Sequence, residues 1–402
     1  GAVLFATDRL PHPSPPRCWA DRRTNATPGP GSRVPAWFSL QSVQHARARP
    51  GSRLRVRCRQ LPARSAPHHA EVPCRCRPDP PNKATVTKSP AGIGWARQPL
   101  VDTAGIGGRR SWGRNKRWEY WNVMTPRYIV GITVSSLDYA AVHEVWVCDR
   151  RTEHAVRESV TLLPARGVAL PPSLGDGPVS ARAKNLEIDI VAEGDGERMR
   201  VTIPRVTIDV VADMPARHER LAVVVPWSDR RFQYTVKDVA RPARGTIVVD
   251  GEAYELPDGA SWAVLDHGRG RWPYDITWNW GAGSGTSGGA VIGIQVGGRW
   301  TDGTGATENA FFVDGRMHKI HDDLVWEYDQ SNFLLPWSVH GGGLEAQFAP
   351  FYDRVSRTDL GVISAHTDQC FGVWSGTFVT LTDERIAFEG IEGWAEHVHN
   401  RW

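Results

Sequence analysis

The chain has 402 residues, of which 41% are apolar and 23% are charged, and its formal net charge is +4. This length and composition suffice to bury a core and exceed one average domain. They exclude a uniformly basic nucleic-acid binder, a disulfide-stapled scaffold and a disordered protein as descriptions of the whole chain.

The first 90 residues differ in kind from the rest, with 16 lysines and arginines against 4 acidic residues and with 15 of the 29 prolines. Such a segment cannot bury enough apolar surface to offset the entropy of ordering, so residues 1–90 are predicted to be a disordered basic extension. Our preferred hypothesis is that it is non-native, read from upstream or out-of-frame sequence. A basic arm for nucleic acid or lipid and an organelle transit peptide are the alternatives.

The remaining body, residues 91–402, holds 32 basic and 40 acidic residues. Its negative charge argues against nucleic acid or an anionic membrane as the main partner. No run of residues approaches the roughly 20 apolar residues of a membrane span, so no transmembrane segment is predicted. Cys148 and Cys370 lie in strand-like apolar runs and are predicted to be buried free thiols, as expected of a cytoplasmic protein.

Short runs rich in Val, Ile, Thr and aromatic residues recur along the body, separated by Gly, Pro and Asp. Roughly sixteen strand candidates predict an all-β fold. The dipeptides Asp250-Gly251 and Asp314-Gly315 are typical of type I′ hairpin turns and favour antiparallel pairing. We therefore predict two consecutive antiparallel β-barrels or sandwiches, the first over residues 91–242 and the second over residues 243–402.

A glycine-rich stretch, residues 283–289, matches both GxGxxG and GxSxG around Ser287. A dinucleotide-binding turn and a nucleophile elbow must each open a helix, whereas the strand-like sequence GAVIGIQVG follows here. The stretch is predicted to be a hairpin loop, and no cofactor is predicted.

Polar and aromatic side chains are most concentrated between Asp266 and Asn309. A single tryptophan is more often a core residue, but polar groups among several large aromatics are typical of an apolar ligand pocket. A second cluster, around Trp112, mixes cations with aromatics. The predicted ligand-binding residues are Arg269, Trp272, Tyr274, Trp278, Asn279, Trp280, Trp300, Asn309, Trp112 and Arg114.

Acid-catalysed chemistry on a double bond needs a proton donor and aromatic faces that stabilise the resulting cation. Asp266, Asp302 and Glu308 are the predicted acids, with pKa values raised by burial, and His267 is a predicted proton relay. The pair His397 and His399 is weak evidence for a metal, and no metal site is predicted.

Several long motifs resemble one bacterial family, the domain of unknown function 2804, over about residues 91–402. They are LDHGRGRWPYDITWNW from Leu265, GGRWTDGTGATENA from Gly297, VDGRMHKI from Val313, PFYDRVSRTDLGV from Pro350 and GWAEHVHNRW from Gly393.

The family is in turn similar to the lipocalin-like superfamily of carotenoid hydratases, hydroxyneurosporene synthases and lipocalin-like cyclases. That resemblance implies two lipocalin-like barrels that hold an apolar small molecule at or between them. Two functions stay open: an enzyme that hydrates, cyclises or isomerises an unsaturated lipid or isoprenoid, and a non-catalytic lipid or pigment binding protein. Carbohydrate binding on exposed tryptophans is a third interpretation.

Overall fold

The computed structural model describes residues 84–85, 94–107, 109, 111–359, 361 and 363–401. The predicted basic extension lies outside the described residues, apart from Ala84 and Thr85. All regular structure in the described ranges is β-strand, which confirms the predicted all-β class. Among these residues there is no helix of the length and apolarity that a membrane span requires.

The strands of the N-terminal half, with β16, form a 14-stranded antiparallel sheet, here called the first sheet. Its main path runs β7-β6-β5-β4-β16-β14-β12-β11-β10-β9-β8, and β13 joins β14 to β2. Its strands are β2 (Gly94–Ala96), β4 (Asn115–Met124), β5 (Tyr128–Ser136), β6 (Ala141–Asp149), β7 (His154–Leu162), β8 (Val168–Ala169), β9 (Val179–Ala183), β10 (Leu186–Glu193), β11 (Gly196–Ile203), β12 (Val206–Ala212), β13 (Leu221–Pro226), β14 (Phe232–Val249), β15 (Glu252–Glu255) and β16 (Trp262–Arg271).

The C-terminal strands form a 9-stranded antiparallel sheet, the second sheet, in the order β20-β19-β18-β17-β25-β24-β23-β22-β21. A separate parallel pair joins β1 (Ala84–Thr85) to β3 (Val101–Asp102). The strands of the second sheet are β17 (Asp275–Ser287), β18 (Ala290–Gly298), β19 (Asn309–Val313), β20 (Arg316–Ile320), β21 (Val325–Glu327), β22 (Trp337–Gly341), β23 (Leu344–Asp359), β24 (Ser364–Val379) and β25 (Arg385–Arg401).

The predicted hairpins are confirmed. Asp250 and Gly251 join β14 to β15, and both have positive φ, at 52° and 84°. Asp314 and Gly315 join β19 to β20 in the same way. The glycine-rich stretch around Ser287 is likewise a hairpin, between β17 and β18.

The chain passes from the first sheet to the second between Arg271 and Asp275. Strand β14 runs without a break through the predicted boundary between residues 242 and 243. That boundary, and the two domains it defines, stay a prediction.

The three largest apolar cores follow from the alternation of side chains along the strands. One lies within the curl of the first sheet, around Trp121 and Met199, and one within the second sheet, around Trp337 and Trp374. The third lies between the sheets, where Trp146 stacks on the Phe371 ring at 5.5 Å. Each sheet therefore has an inner face and a face turned to the other sheet.

A bulge in β14 connects the two sheets. The register with β16 shifts between Asp238 and Arg241, and Ala240 has a φ of 57°. The Ala240 amide donates a hydrogen bond of 2.9 Å to Ser284 Oγ on β17. A bulge changes the direction of the strand that carries it. This bulge attaches β14 to the second sheet three residues after Lys237.

Candidate active site

A cavity of about 300 Å³ lies between the two sheets, and side chains of both sheets form its wall. Small-molecule pockets commonly measure about 300–1,000 Å³, so this one suits a small ligand. Five tryptophans and one tyrosine give it an aromatic lining. The lining residues are Trp118, Tyr120, Thr133, Glu144, Gln233, Thr235, Lys237, Asp266, Trp272, Trp278, Trp280, Trp300, Glu308, Arg354, Ser356, Thr367, Gln369, Glu396, Val398 and Asn400.

One row of lining side chains crosses five adjacent strands of the first sheet. Directly paired residues along this row are Lys237 on β14, Asp266 on β16, Tyr120 on β4, Thr133 on β5 and Glu144 on β6. Paired residues on neighbouring strands point to the same face of a sheet, so strand register alone brings these five side chains to the cavity.

A second row crosses four strands of the second sheet. It consists of Trp280 on β17, Glu396 on β25, Gln369 on β24 and Arg354 on β23. The two rows face each other across the cavity.

The rows meet at both ends. At one end, Lys237 Nζ lies 3.9 Å from the centroid of the Trp280 ring, a cation–π contact. At the other end, Arg354 forms an ion pair with Glu144. A ring of nine side chains therefore bounds the cavity. Five of them are acidic or basic, and the other four are the neutral side chains of Tyr120, Thr133, Trp280 and Gln369.

Lys237 is the centre of the charged end of the cavity. Its Nζ lies 3.1 Å from Asp266 Oδ1 and 3.1 Å from Glu308 Oε2. Burial disfavours the ammonium, but the two carboxylates outweigh burial and raise the pKa of Lys237. Asp266 also accepts hydrogen bonds from Trp118 Nε1 at 3.0 Å and from Thr235 Oγ1 at 2.9 Å, so this carboxylate is held on both oxygens.

Glu308 enters the cavity from the segment that precedes β19. Trp300 Nε1 donates a hydrogen bond of 2.6 Å to its Oε1. A Cβ on Gly297 would lie 2.2 Å from Oε1, so only glycine leaves room for this carboxyl group. Burial raises the pKa of Glu308 to about 7, and neighbouring Lys237 only partly offsets the burial.

Glu396 is a second buried carboxyl group in the wall. It accepts hydrogen bonds from Trp278 Nε1 at 3.0 Å and from Gln369 Nε2 at 3.1 Å. Burial raises its pKa to about 7 as well. Two carboxyl groups that gain and lose a proton near neutral pH thus share one aromatic cavity.

Glycines of the motif DHGRGRW make space for the cavity wall. A Cβ on Gly268 would lie 2.2 Å from the Trp118 ring, and a Cβ on Gly270 would lie 2.2 Å from Gln233 Oε1. Trp272 Nε1 donates a hydrogen bond of 2.7 Å to the same Gln233 oxygen. Glycine at positions 268 and 270 therefore leaves room on the cavity face of β16 for the Trp118 ring and the Gln233 side chain.

The structure brings together six of the residues predicted from the sequence. Asp266 and Glu308 supply carboxyl groups, and the rings of Trp272 and Trp300 stack at 5.9 Å with an angle of 14° between their planes. The remaining two of the six are Trp278 and Trp280.

His267 and Arg269 lie on the opposite face of β16, in contrast to the expected grouping with Asp266. Alternation along the strand is the reason. His267 Nδ1 lies 3.1 Å from Glu119 Oε1, and burial lowers the pKa of His267 to about 4, so the ring is neutral. Arg269 donates a hydrogen bond of 2.7 Å to the Trp118 carbonyl oxygen.

Asn279 and Asn309 are buried but do not line the cavity. Asn279 Nδ2 donates to Tyr328 Oη at 3.0 Å and to the Glu396 carbonyl oxygen at 3.1 Å. Asn309 Oδ1 accepts a hydrogen bond of 2.7 Å from the Gly297 amide. Both amides fix backbone beside the site, so they support it without contacting the cavity.

The other predicted residues lie at the surface or away from the cavity. Asp302 is exposed and accepts a hydrogen bond of 2.9 Å from the Arg299 amide, so it caps a turn. Trp112 is 63% exposed. The Arg114 guanidinium lies 5.7 Å from the ring of Tyr274, which is also exposed.

The sequence reasoning missed Lys237, Tyr120, Gln369, Glu396 and Arg354. A signal for Lys237 exists: the apolar run FQYTVKD carries Gln, Thr and Lys at alternate positions, which places three polar groups on one face. Tyr120 belongs to the cluster of cations and aromatics that begins at Trp112. No comparable local signal marks the other three, because their proximity depends on the pairing of distant strands.

Within the described ranges, no group of three or more His, Cys, Asp and Glu side chains is placed to hold a metal ion. Cys148 and Cys370 are buried free thiols, as predicted, and burial raises the pKa of both.

Comparison with known proteins adds a family and a set of distant structures. A family model described as "Domain of unknown function (DUF2804)" matches residues 85–402. No curated protein matches the chain. Kievitone hydratase from Nectria haematococca is 12% identical, with 80% of this chain and 97% of that chain covered and a TM-score of 0.48. CghA is 11% identical, with 71% and 88% covered and a TM-score of 0.45. At these scores the two structures carry no information on the activity of this chain.

Proposed function

The chain belongs to the family described as domain of unknown function DUF2804, and we propose that it is an enzyme that transfers a proton to or from a small, apolar, unsaturated molecule held between its two sheets. The reaction is a hydration, cyclisation or isomerisation. The observation that carries the proposal is the pair Glu308 and Glu396, each buried in a tryptophan-lined cavity and each hydrogen-bonded to an indole N–H.

The protonation behaviour of the two carboxyl groups supports acid–base chemistry. A catalytic group works best when its pKa lies near the working pH, because both of its protonation states are then populated. Burial raises the pKa of Glu308 and of Glu396 to about 7, so each group has both states available near neutrality.

The two groups differ in their neighbours, which suggests a division of roles. Glu308 contacts the Lys237 ammonium at 3.1 Å, which favours the carboxylate. Glu396 accepts hydrogen bonds from the neutral groups of Trp278 and Gln369. We assign Glu396 as the proton donor and Glu308 as the base, with Lys237 and Asp266 as positioning residues.

The aromatic wall suits the same reaction. Protonation of a carbon–carbon double bond places positive charge on carbon, and the faces of indole rings attract such a charge. Trp280 already accepts the Lys237 ammonium on its face. The cavity size favours a ligand of roughly ten to fifteen carbon atoms over a long polyene.

The test uses a panel of isoprenoid alkenes and enones of that size, incubated with the full chain in D₂O. Mass spectrometry then detects deuterium incorporation or addition of water. Glu308→Gln and Glu396→Gln are each expected to lower turnover by about 100-fold or more, the usual contribution of one acid–base group, while ligand binding remains.

Asp302→Asn is the matched control, since this carboxyl group lies outside the cavity and asparagine keeps its acceptor oxygen; turnover should be unchanged. A wild-type protein that binds members of the panel but leaves them unlabelled and unaltered would be a carrier, and the enzyme proposal would then be wrong.

A further inference from the structure

Tyr120 has an unusual setting within the cavity. It lines the wall on β4, and its ring meets the rings of Trp280 and Trp394 edge-on, at 5.9 and 6.2 Å. These contacts fix the ring, so its hydroxyl group has a defined position. That position is between the charged end of the cavity and the Arg354–Glu144 ion pair, because Tyr120 stands between Asp266 and Thr133 in the first-sheet row.

The groups around the Tyr120 oxygen include hydrogen-bond donors and one carboxyl group, that of Glu396. Gln369 Nε2 donates to Tyr120 Oη at 3.4 Å. Burial raises the pKa of Tyr120 and the Glu396 carboxyl group acts in the same direction, whereas Arg354, Gln369 and Asn122 each lower it. The oxygen therefore serves as an acceptor for the protein.

The phenol proton is the remaining hydrogen-bonding capacity of this group. Within the part of the chain that the structure describes, no hydrogen bond donated by the Tyr120 hydroxyl is found, and the nearby Asn122 Oδ1 has no partner. Donors that bond to the oxygen also polarise the O–H bond and strengthen it as a donor.

We propose that Tyr120 binds an oxygen atom of the ligand, so that the cavity selects an apolar molecule bearing a carbonyl or ether oxygen over the matching hydrocarbon. This inference rests on the proposed function in using the same cavity. It adds a substrate class, since a ligand oxygen supplies an acceptor for the phenol proton from within the cavity and a hydrocarbon does not.

The position of Gln369 connects this recognition to the chemistry. Its Nε2 lies 3.4 Å from Tyr120 Oη and 3.1 Å from Glu396 Oε2. A ligand oxygen bound to Tyr120 therefore lies beside the carboxyl group that we assign as proton donor, and the reacting carbon is one close to that oxygen.

The test compares two probes of similar size, the β-acetyl and β-isopropyl derivatives of naphthalene, whose affinities are measured by isothermal titration calorimetry. Tyr120→Phe removes one oxygen atom and keeps the ring. It is expected to weaken binding of the ketone about fivefold, the usual effect of one hydrogen bond, and to leave the hydrocarbon within about twofold.

Tyr254→Phe serves as the control, because Tyr254 packs on Tyr128 outside the cavity and its loss should change neither affinity. Equal changes for ketone and hydrocarbon, or no change for either, would overturn the role of Tyr120. Because no turnover is measured, that result would leave the acid–base proposal standing. Failure of the wild-type protein to bind either probe would instead count against the cavity as an apolar ligand site, and so against both proposals.

Discussion

Lys237 and Asp238 are neighbours on β14, both are buried, and each is the centre of a cluster of charges. Because strand side chains alternate, they point to opposite faces of the sheet. Lys237 faces the cavity with Asp266 and Glu308, while Asp238 faces His218 at 2.7 Å and Arg241 at 2.7 Å.

The two clusters differ in which charge is in excess. Around Lys237, the single ammonium group does not offset the burial of Glu308, so the pKa of Glu308 rises to about 7. Around Asp238, burial alone would raise its pKa, but Arg241 and His218 outweigh burial and lower it to about 2. A buried charge is therefore not a sign of function by itself. A buried carboxyl group with too few neighbouring cations has a raised pKa and can exchange a proton. A buried carboxyl group with several neighbouring cations remains ionised.

The largest expected effect comes from breaking the Asp238 cluster. Arg241 contacts Asp238, Glu197 and the Ala212 carbonyl oxygen, each at 2.7 Å. Arg241→Met leaves the carboxylates buried with less opposing charge, and is expected to lower the free energy of unfolding by about 3–5 kcal/mol. Urea unfolding followed by tryptophan fluorescence measures the loss.

Lys237→Met is the matched change on the cavity face. Its cost is expected to be clearly smaller below neutral pH, since Glu308 takes up a proton once the ammonium is gone. Equal losses for the two variants would contradict the distinction between a fixed and a titrating cluster.

A second prediction concerns the pH dependence of stability. The pKa of Glu308 is raised from 4.5 to about 7 in the folded chain, so its stabilising contribution is fully present below pH 4.5 and disappears as the pH rises to about 7. Relative to wild type, Glu308→Gln should therefore gain about 3 kcal/mol of unfolding free energy across that range.

The comparison between variant and wild type is needed because other groups titrate in the opposite sense. Burial lowers the pKa of His143 and His267 from 6.5 to about 4, so their contribution grows as the pH rises between those values. Urea unfolding of both proteins at several pH values cancels this background. A difference that does not change with pH would mean that folding leaves the pKa of Glu308 unshifted.

The sequence could predict those features of the fold and of the candidate site that depend on residues close together in the chain. Hairpin dipeptides and short β-rich runs are local signals, so the all-β class and the turns at Asp250 and Asp314 follow from them. Four of the five cavity tryptophans were predicted because they lie close together in the sequence, between Trp272 and Trp300.

The partners of these residues could not be found in this way. Lys237, Tyr120 and Glu396 reach the cavity through the register of strands that are far apart in the sequence. Asp302 shows the converse case: it is near Trp300 in the chain, but a turn directs it to solvent. Chain proximity is a poor guide where alternation and turns separate neighbours.

The smallest expected effect tests that alternation directly, at His267. This side chain follows Asp266 but lies on the inner face of the first sheet, 3.1 Å from Glu119. His267→Asn removes one buried hydrogen bond and is expected to cost about 1–2 kcal/mol of unfolding free energy. Since the ring does not line the cavity, ligand affinity and turnover should stay within about twofold of wild type at any pH where the variant is folded. A loss of turnover comparable to that of Glu308→Gln, without a matching loss of binding, would mean that protons reach the cavity through β16, and the separation of a structural face from a reactive face would fail.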